Sequence, residues 1–163
     1  MNASFAPILD RTALVDEVQR RRLAGSKIVL ANGCFDLFHV GHARYLAGAK
    51  AVGDVLVVAI NSDRQARALK GEGRPYIPEN ERAEIVSALR FVDLVTVFDE
   101  PTVNDLIEAI KPDFHAKGTD YSTETVPEKD LVRRYGGQVV IVGDPKDHSS
   151  TQLISAVSSS PQR

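Results

Sequence analysis

The sequence predicts a doubly wound α/β fold: one domain built on a parallel sheet of five strands with helices on both faces. Three observations carry this. Short apolar runs rich in β-branched residues alternate with longer segments of helical period, the pattern of successive βαβ units. The runs lack polar/apolar alternation, as expected where both faces of a strand are covered. A chain of 163 residues, 43% hydrophobic and 26% charged, suffices for one core and has the composition of a globular domain.

In chain order, a helix is expected at about 12–23, then a first strand "KIVLANG" (27–33) and a helix at about 41–51. The strand "VLVVAIN" (55–61) leads to a helix at 63–69, for which Asp63 is a candidate cap. "KGEGRPYIP" (70–78) is a Gly/Pro-rich loop with exposed charges, a candidate lid over a bound ligand, and a helix follows at 79–90. "LVTVF" (94–98) precedes a helix at 102–110 capped by Thr102, and "DFHAKG" (113–118) precedes one at 127–135. "QVVIVG" (138–143) is the last strand, with a final helix at 149–157 opened by Ser149. There is no internal repeat; the core is expected over about 27–157, and "SSSPQR" makes 158–163 a frayed tail.

Composition narrows the partners. A formal net charge of -2 and a pI near 6.1 provide no broad basic field for a nucleic acid, so any phosphate binding is local. Cys34 is the only cysteine, which excludes an intramolecular disulfide and suits a reducing compartment. No stretch approaches the roughly 20 apolar residues of a membrane-spanning helix, and the N-terminal residues lack the charged-then-apolar order of a signal peptide. A cytoplasmic location without membrane attachment is the expectation.

Right-handed crossovers place ligands beyond the carboxyl ends of the strands. With strand order 3-2-1-4-5, strands one and four are neighbours, so "NGCFDLFHVGH" (32–42) and "KGTDY" (117–121) open into one crevice. Neither a P-loop nor a G-x-G-x-x-G fingerprint is present. The first segment suits a phosphate by another route: Gly33 lets the chain turn at the strand end, and Gly41 lets an anion approach a helix N-terminus. His39 and His42, at i and i+3, share one face of that turn and can aim N–H groups, in cationic form, at one anion. Zinc held by Cys34, Asp36, His39 and His42 is the rival reading, though four ligands crowded at one strand-to-helix turn are poorly spaced for it. The bland reading makes His42 a helix-terminal residue and His39 a loop residue.

"GCFDLFHVGH", with its H-x-G-H core, and "SSTQLI" (149–154) together resemble the two signatures of the cytidylyltransferase-like nucleotidyltransferases. The likeness spans about 27–157. Within that family, "ANGCFD", "VGDVLVVAINSD", "LKGEGRP", "ERAEIVSAL" and "KGTDY" are similar, in matching order, to the branch that adenylylates heptose 1-phosphates. The resemblance implies a Rossmann-like fold and transfer of a nucleoside monophosphate from ATP, or else CTP, to a sugar or polyol phosphate, with Mg²⁺ as cofactor and a homodimer as the assembly. It implies catalytic roles for His39, His42 and Lys70. Nucleotide contacts fall on Gly33, Cys34, Phe35, Asp36, Gly41, Lys117, Gly118, Asp120, Ser149, Ser150 and Thr151, and acceptor-phosphate contacts on Arg74 and Arg82. Asp36 is either a Mg²⁺ contact, a holder of a histidine or a helix cap, and no residue is assigned as a firm metal ligand. Transfer from CTP to a polyol phosphate such as glycerol 3-phosphate, and a catalytically silent nucleotide-binding module, are the alternatives; the intact histidine pair speaks against silence. The run "GDPKDHSST" departs from the arginine and glycine that glycerol-phosphate enzymes carry before the second signature, and it leaves Lys146 and His148 without a role.

Overall fold

A computed structural model describes residues 5–145 and 149–159. Five strands, β1 (Ile28–Gly33), β2 (Val55–Asn61), β3 (Leu94–Phe98), β4 (Phe114–Lys117) and β5 (Gln138–Ile141), form one sheet. All neighbouring pairs are parallel and the order is β3-β2-β1-β4-β5, as the βαβ pattern predicts. The helices are α1 (Arg11–Leu23), α2 (Val40–Lys50), α3 (Asp63–Lys70), α4 (Glu79–Ser87), α5 (Asn104–Ile110), α6 (Lys129–Arg134) and α7 (Ser150–Ser158).

Alternation along the central strands divides the core into two layers. Ile28 and Leu30 of β1 and Val55, Val57 and Ala59 of β2 face α1, α5 and α6, where Leu14, Val18, Leu106, Ile107, Ile110 and Val132 close the layer. Val29 and Ala31 with Leu56, Val58 and Ile60 face the opposite way, onto Leu46 and Ala49 of α2 and Ala83 and Val86 of α4. Every one of these strand residues is essentially inaccessible to water, which explains why their sequence reads as continuous apolar runs. Helix α1 belongs to this core, since Leu14 and Val18 are fully buried, so the packed core begins well before residue 27.

The ends of elements differ from expectation in local ways. Ser62, not Asp63, caps α3, its side chain accepting from the Gln65 N–H, and α5 begins at Asn104, whose N–H donates to Thr102 Oγ1 at 3.4 Å although Val103 holds the cap position. Helix α4 stops at Ser87. Ser149 caps α7 as expected, and that helix runs through Ser158, so the expected tail starts one residue late; residues 160–163 lie outside the described residues, as do Lys146 and His148.

Candidate active site

The segment between β1 and α2 turns by backbone strain rather than at a glycine. Gly33 is still in β1, paired with Ile60. The turn is made by Phe35 and Leu37, both at φ 51°, a left-handed conformation uncommon in residues with a Cβ and concentrated at functional sites. Gly33 serves differently: a Cβ there would stand 3.2 Å from the Phe35 ring, so its absence seats that buried ring beneath the loop. Phe35 in turn meets His42 edge-on, with ring centroids 5.4 Å apart.

Helix α2 opens on a reciprocal cap made by the two histidines. The Gly41 N–H donates to His39 Nδ1 at 3.1 Å, and the His39 N–H donates to His42 Nδ1 at 3.3 Å. A ring nitrogen that accepts from an amide carries no proton, so the neutral form of each ring holds its proton on Nε2. The rings stack with centroids 3.8 Å apart, and both line the cleft. Burial, and then the neighbouring charges of His39 and Lys70, push His42 down to about 4. His42 is therefore a neutral Nε2–H donor at pH 7, which corrects the expectation of a cationic pair. The positive charge at this end comes from Lys70, at the exposed C-terminus of α3 facing the same cleft.

Asp36 takes none of the three roles expected of it. It is 2% exposed, and its carboxylate accepts from Arg74 Nε at 2.7 Å and from the backbone N–H groups of Tyr76 and Ile77 at 3.1 Å. Burial opposes its charge, but the Tyr76 N–H, the Arg74 guanidinium and the Ile77 N–H outweigh it and hold the carboxyl below its usual range. Asp36 thus fastens residues 74–77 to the strand end. Only the Lys70–Gly73 half of the expected lid is wholly exposed, with Gly71 at φ 97° and Gly73 at φ 81°.

Arg82 is corrected as an acceptor-phosphate contact. Its side chain is 0% exposed, and its guanidinium donates to the carbonyls of Ile77 and Cys34 and, at 2.8 Å, to Asp63 Oδ1. It braces the loop, the strand end and the start of α3 together. Cys34 directs its thiol toward Asn61 Oδ1 at 3.7 Å, and burial raises its pKa against the pull of Lys70 and Arg82. Among the described residues no three His, Cys, Asp or Glu side chains are grouped to hold a metal ion.

These elements bound one cleft of about 680 Å³ at the carboxyl ends of the strands. It collects Gly33 to Asp36, His39, Gly41, His42, Lys70, Arg74, Lys117, Gly118, Asp120 and Ser149 to Thr151, while Arg82 stays behind its wall. At α7, Ser149 and Gln152 form a capping box, and the Ser150 hydroxyl donates to the Asp36 carbonyl at 2.8 Å, docking the second motif directly on the first. A Cβ on Gly118 would meet nothing within 4 Å, so the wall there is open to a ligand. Sequence reasoning missed Asn32, Arg44 and Glu128, which also line the cleft. Asn32 could have been found from its place at the end of β1; Arg44, paired with Asp144 at 2.9 Å, and Glu128, eleven residues beyond Lys117, gave no signal of position.

A parallel doubly wound sheet, with two histidines on one helix start and a second helix start docked against it, defines an α/β protein whose cleft lies at the carboxyl ends of the strands, where such sheets bind ligands. The chain belongs to the cytidylyltransferase-like family, which it matches over residues 30–163. It is 50% identical over 141 residues to the bifunctional protein HldE of Syntrophotalea carbinolica, covering 86% of this chain and 28% of that protein. It is 47% identical over 154 residues to the bifunctional protein HldE of Geobacter metallireducens, covering 94% of this chain and 31% of that one. The chain therefore spans less than a third of the length of these curated relatives. A crystal structure of the lipopolysaccharide core biosynthesis protein from Thermoplasma volcanium superposes with a TM-score of 0.63 at 30% identity, covering 75% of this chain and all of that one.

Proposed function

We propose that this chain is a single nucleotidyltransferase domain that transfers the adenylyl group of ATP to a sugar 1-phosphate, D-glycero-β-D-manno-heptose 1-phosphate, and releases pyrophosphate. The observation that carries the reading is the histidine cap: two stacked imidazoles, each anchored to the backbone through Nδ1, at a helix start that lines the cleft beside Lys70. The similarity to HldE proteins and to the heptose branch of the family supports the choice of acceptor.

The chemistry asks for this arrangement. When a sugar-phosphate oxygen attacks the α-phosphorus, charge builds on the equatorial oxygens and on the departing pyrophosphate, and preorganised donors aimed there lower the barrier. His39 and His42 supply two such donors, and His42 does so without the cost of burying an ionised ring. Lys70 meets the added charge of the polyphosphate. The starts of α2 and α7 and the backbone of residues 33–36 line the polyphosphate, Arg74 and Lys70 face the acceptor phosphate, and Gly118 and Asp120 border the ribose and base. A divalent cation, Mg²⁺, would shield the triphosphate charge; because Asp36 spends its oxygens on the loop, the ion would be held by phosphate oxygens and water. A homodimer in the cytoplasm is part of the same proposal; among the described residues no helix is long and apolar enough to cross a membrane.

The test is pyrophosphate release from purified protein with ATP, CTP, GTP or UTP against a panel of sugar and polyol phosphates. ATP with heptose 1-phosphate should give the highest kcat/KM. A folded protein that releases pyrophosphate with no pair overturns the reading, and a preference for CTP with a polyol phosphate replaces the substrates while keeping the chemistry.

A further inference from the structure

The floor of the cleft holds a charged pair that the phosphate chemistry leaves unused. Lys117 and Glu128 stand 3.4 Å apart, each side chain 10% exposed, and both line the cleft. The Lys117 ammonium faces Glu128 Oε2, an oxygen shielded from water, but makes no well-directed hydrogen bond to it, and no other group among the described residues donates there. A buried carboxylate oxygen paired by charge alone keeps an unused acceptor site, and a ligand that brings a donor fills it.

The surroundings fix where this pair lies. Ala31 of β1 pairs with Ala116 of β4, so Asn32 and Lys117 are the next residues on adjacent strands, and Asn32 directly precedes Gly33 of the phosphate segment. Asn32 Oδ1 takes Lys117 Nζ at 3.4 Å and His115 Nε2 at 3.1 Å. A lysine only donates, so that oxygen is an acceptor and His115 carries its proton on Nε2. His115 is fully buried and neutral, pushed down to about 3 by burial and then by Lys117. Lys117 is thus held from two sides, with Glu128 in front of it and Asn32 beside it.

We propose that Lys117 and Glu128 together receive a ribose hydroxyl of the nucleotide, which donates to Glu128 Oε2 and accepts from Lys117 Nζ. The inference rests on the reading of the cleft as a nucleoside triphosphate site. With the phosphates at the starts of α2 and α7, the sugar is the next group along the cleft, and the pair lies one strand over and one residue back from the phosphate segment. A hydroxyl satisfies both members because one oxygen donates and accepts, whereas an ion of either sign is repelled by one of them. Acidic side chains at strand ends read ribose hydroxyls in other doubly wound sheets by the same chemistry.

The experiment compares kcat/KM for the preferred nucleoside triphosphate with its 2′-deoxy and 3′-deoxy forms, at fixed sugar phosphate, in wild type, Glu128→Ala and Glu128→Gln. Wild type should disfavour one deoxy form by roughly 10- to 100-fold, the scale of a hydrogen bond to a charged group. Glu128→Ala should lower the ribonucleotide several-fold more than that deoxy form, so the ratio falls toward one, the remainder being the contact with Lys117. Glu128→Gln, which keeps the volume and one acceptor, should give an intermediate ratio and guards against a misfolded Ala variant. A purely structural role lowers all three substrates alike and leaves the ratio intact; that result, or a wild type indifferent to both deoxy forms, overturns the proposal. Turnover with an unchanged ratio sinks only this inference, while no turnover with any nucleoside triphosphate sinks the reading beneath it as well.

Discussion

The histidine pair and the Asp36–Arg82 brace lie within one short reach of the same loop, yet they use their polar groups in opposite ways. His39 and His42 each accept a backbone N–H through Nδ1, and both rings line the cleft. Asp36 and Arg82, charged and therefore the more obvious ligands for a phosphate or a metal, are 2% and 0% exposed and are consumed by Arg74, Tyr76, Ile77, Cys34 and Asp63. Charge does not mark the group that can meet a ligand here; a place on the wall of the cleft does. The brace holds the geometry, and the pair meets the ligand.

The comparison breaks most directly at Arg82. Removing the buried guanidinium leaves the Ile77 and Cys34 carbonyls without their donor, while the partly exposed Asp63 can turn to water, so Arg82→Leu should lower the unfolding free energy by about 2–4 kcal/mol. Denaturant melts measure it. A variant of normal stability with a raised KM for the sugar phosphate would instead make Arg82 a ligand contact. His42→Ala is the opposite case: kcat should fall by at least about a hundredfold, the scale of losing one transition-state donor, while the fold survives. Near-normal kcat in the folded variant would remove His42 from the chemistry.

The sheet and its order were legible because both faces of the strands are buried, which leaves continuous apolar runs such as 55–61 that nothing else in the chain imitates. The cleft was legible at its phosphate end, where Gly41, His39 and His42 sit in one contiguous segment. What could not be read was the state of each group. The turn at Phe35 and Leu37, the neutrality of His42 and the burial of Arg82 depend on contacts between residues as far apart as Cys34 and Arg82. Glu128 was invisible for the same reason, since only the fold brings it to Lys117.

Lys70 sharpens the contrast from the other side, as a charge that is exposed and free of the brace. Lys70→Ala should lower kcat by roughly 10- to 100-fold, as for a lost charge-assisted contact, and change KM less than kcat. Stability should stay within about 0.5 kcal/mol, the range of surface substitutions. Lys70→Arg should rescue only in part, because a planar fork does not replace a compact ammonium. Bound Mg-ATP should slow proteolysis within residues 70–73 and not within 74–77, which Asp36 already holds; equal cutting with and without nucleotide would deny the short segment any closing motion.

The smallest effect tests whether His42 is neutral at all. His42 and His115 have folded pKa values of about 4 and about 3, below the ordinary histidine value near 6.5. A depressed histidine binds fewer protons folded than unfolded, so stability is full above about pH 6.5 and falls as the pH drops toward the folded values. Each such ring contributes at most one proton, or about 1.4 kcal/mol per pH unit. Asp36 and Asp113, whose carboxyls are held low, give up their stabilisation mainly below about pH 4, so the interval from about pH 6 to about pH 5 belongs to the histidines. Urea melts across that interval should show a slope that is smaller by about one proton in His42→Ala than in wild type. An unchanged slope in the variant would mean that His42 titrates normally in the folded chain and can meet the phosphate as a cation instead of a neutral donor.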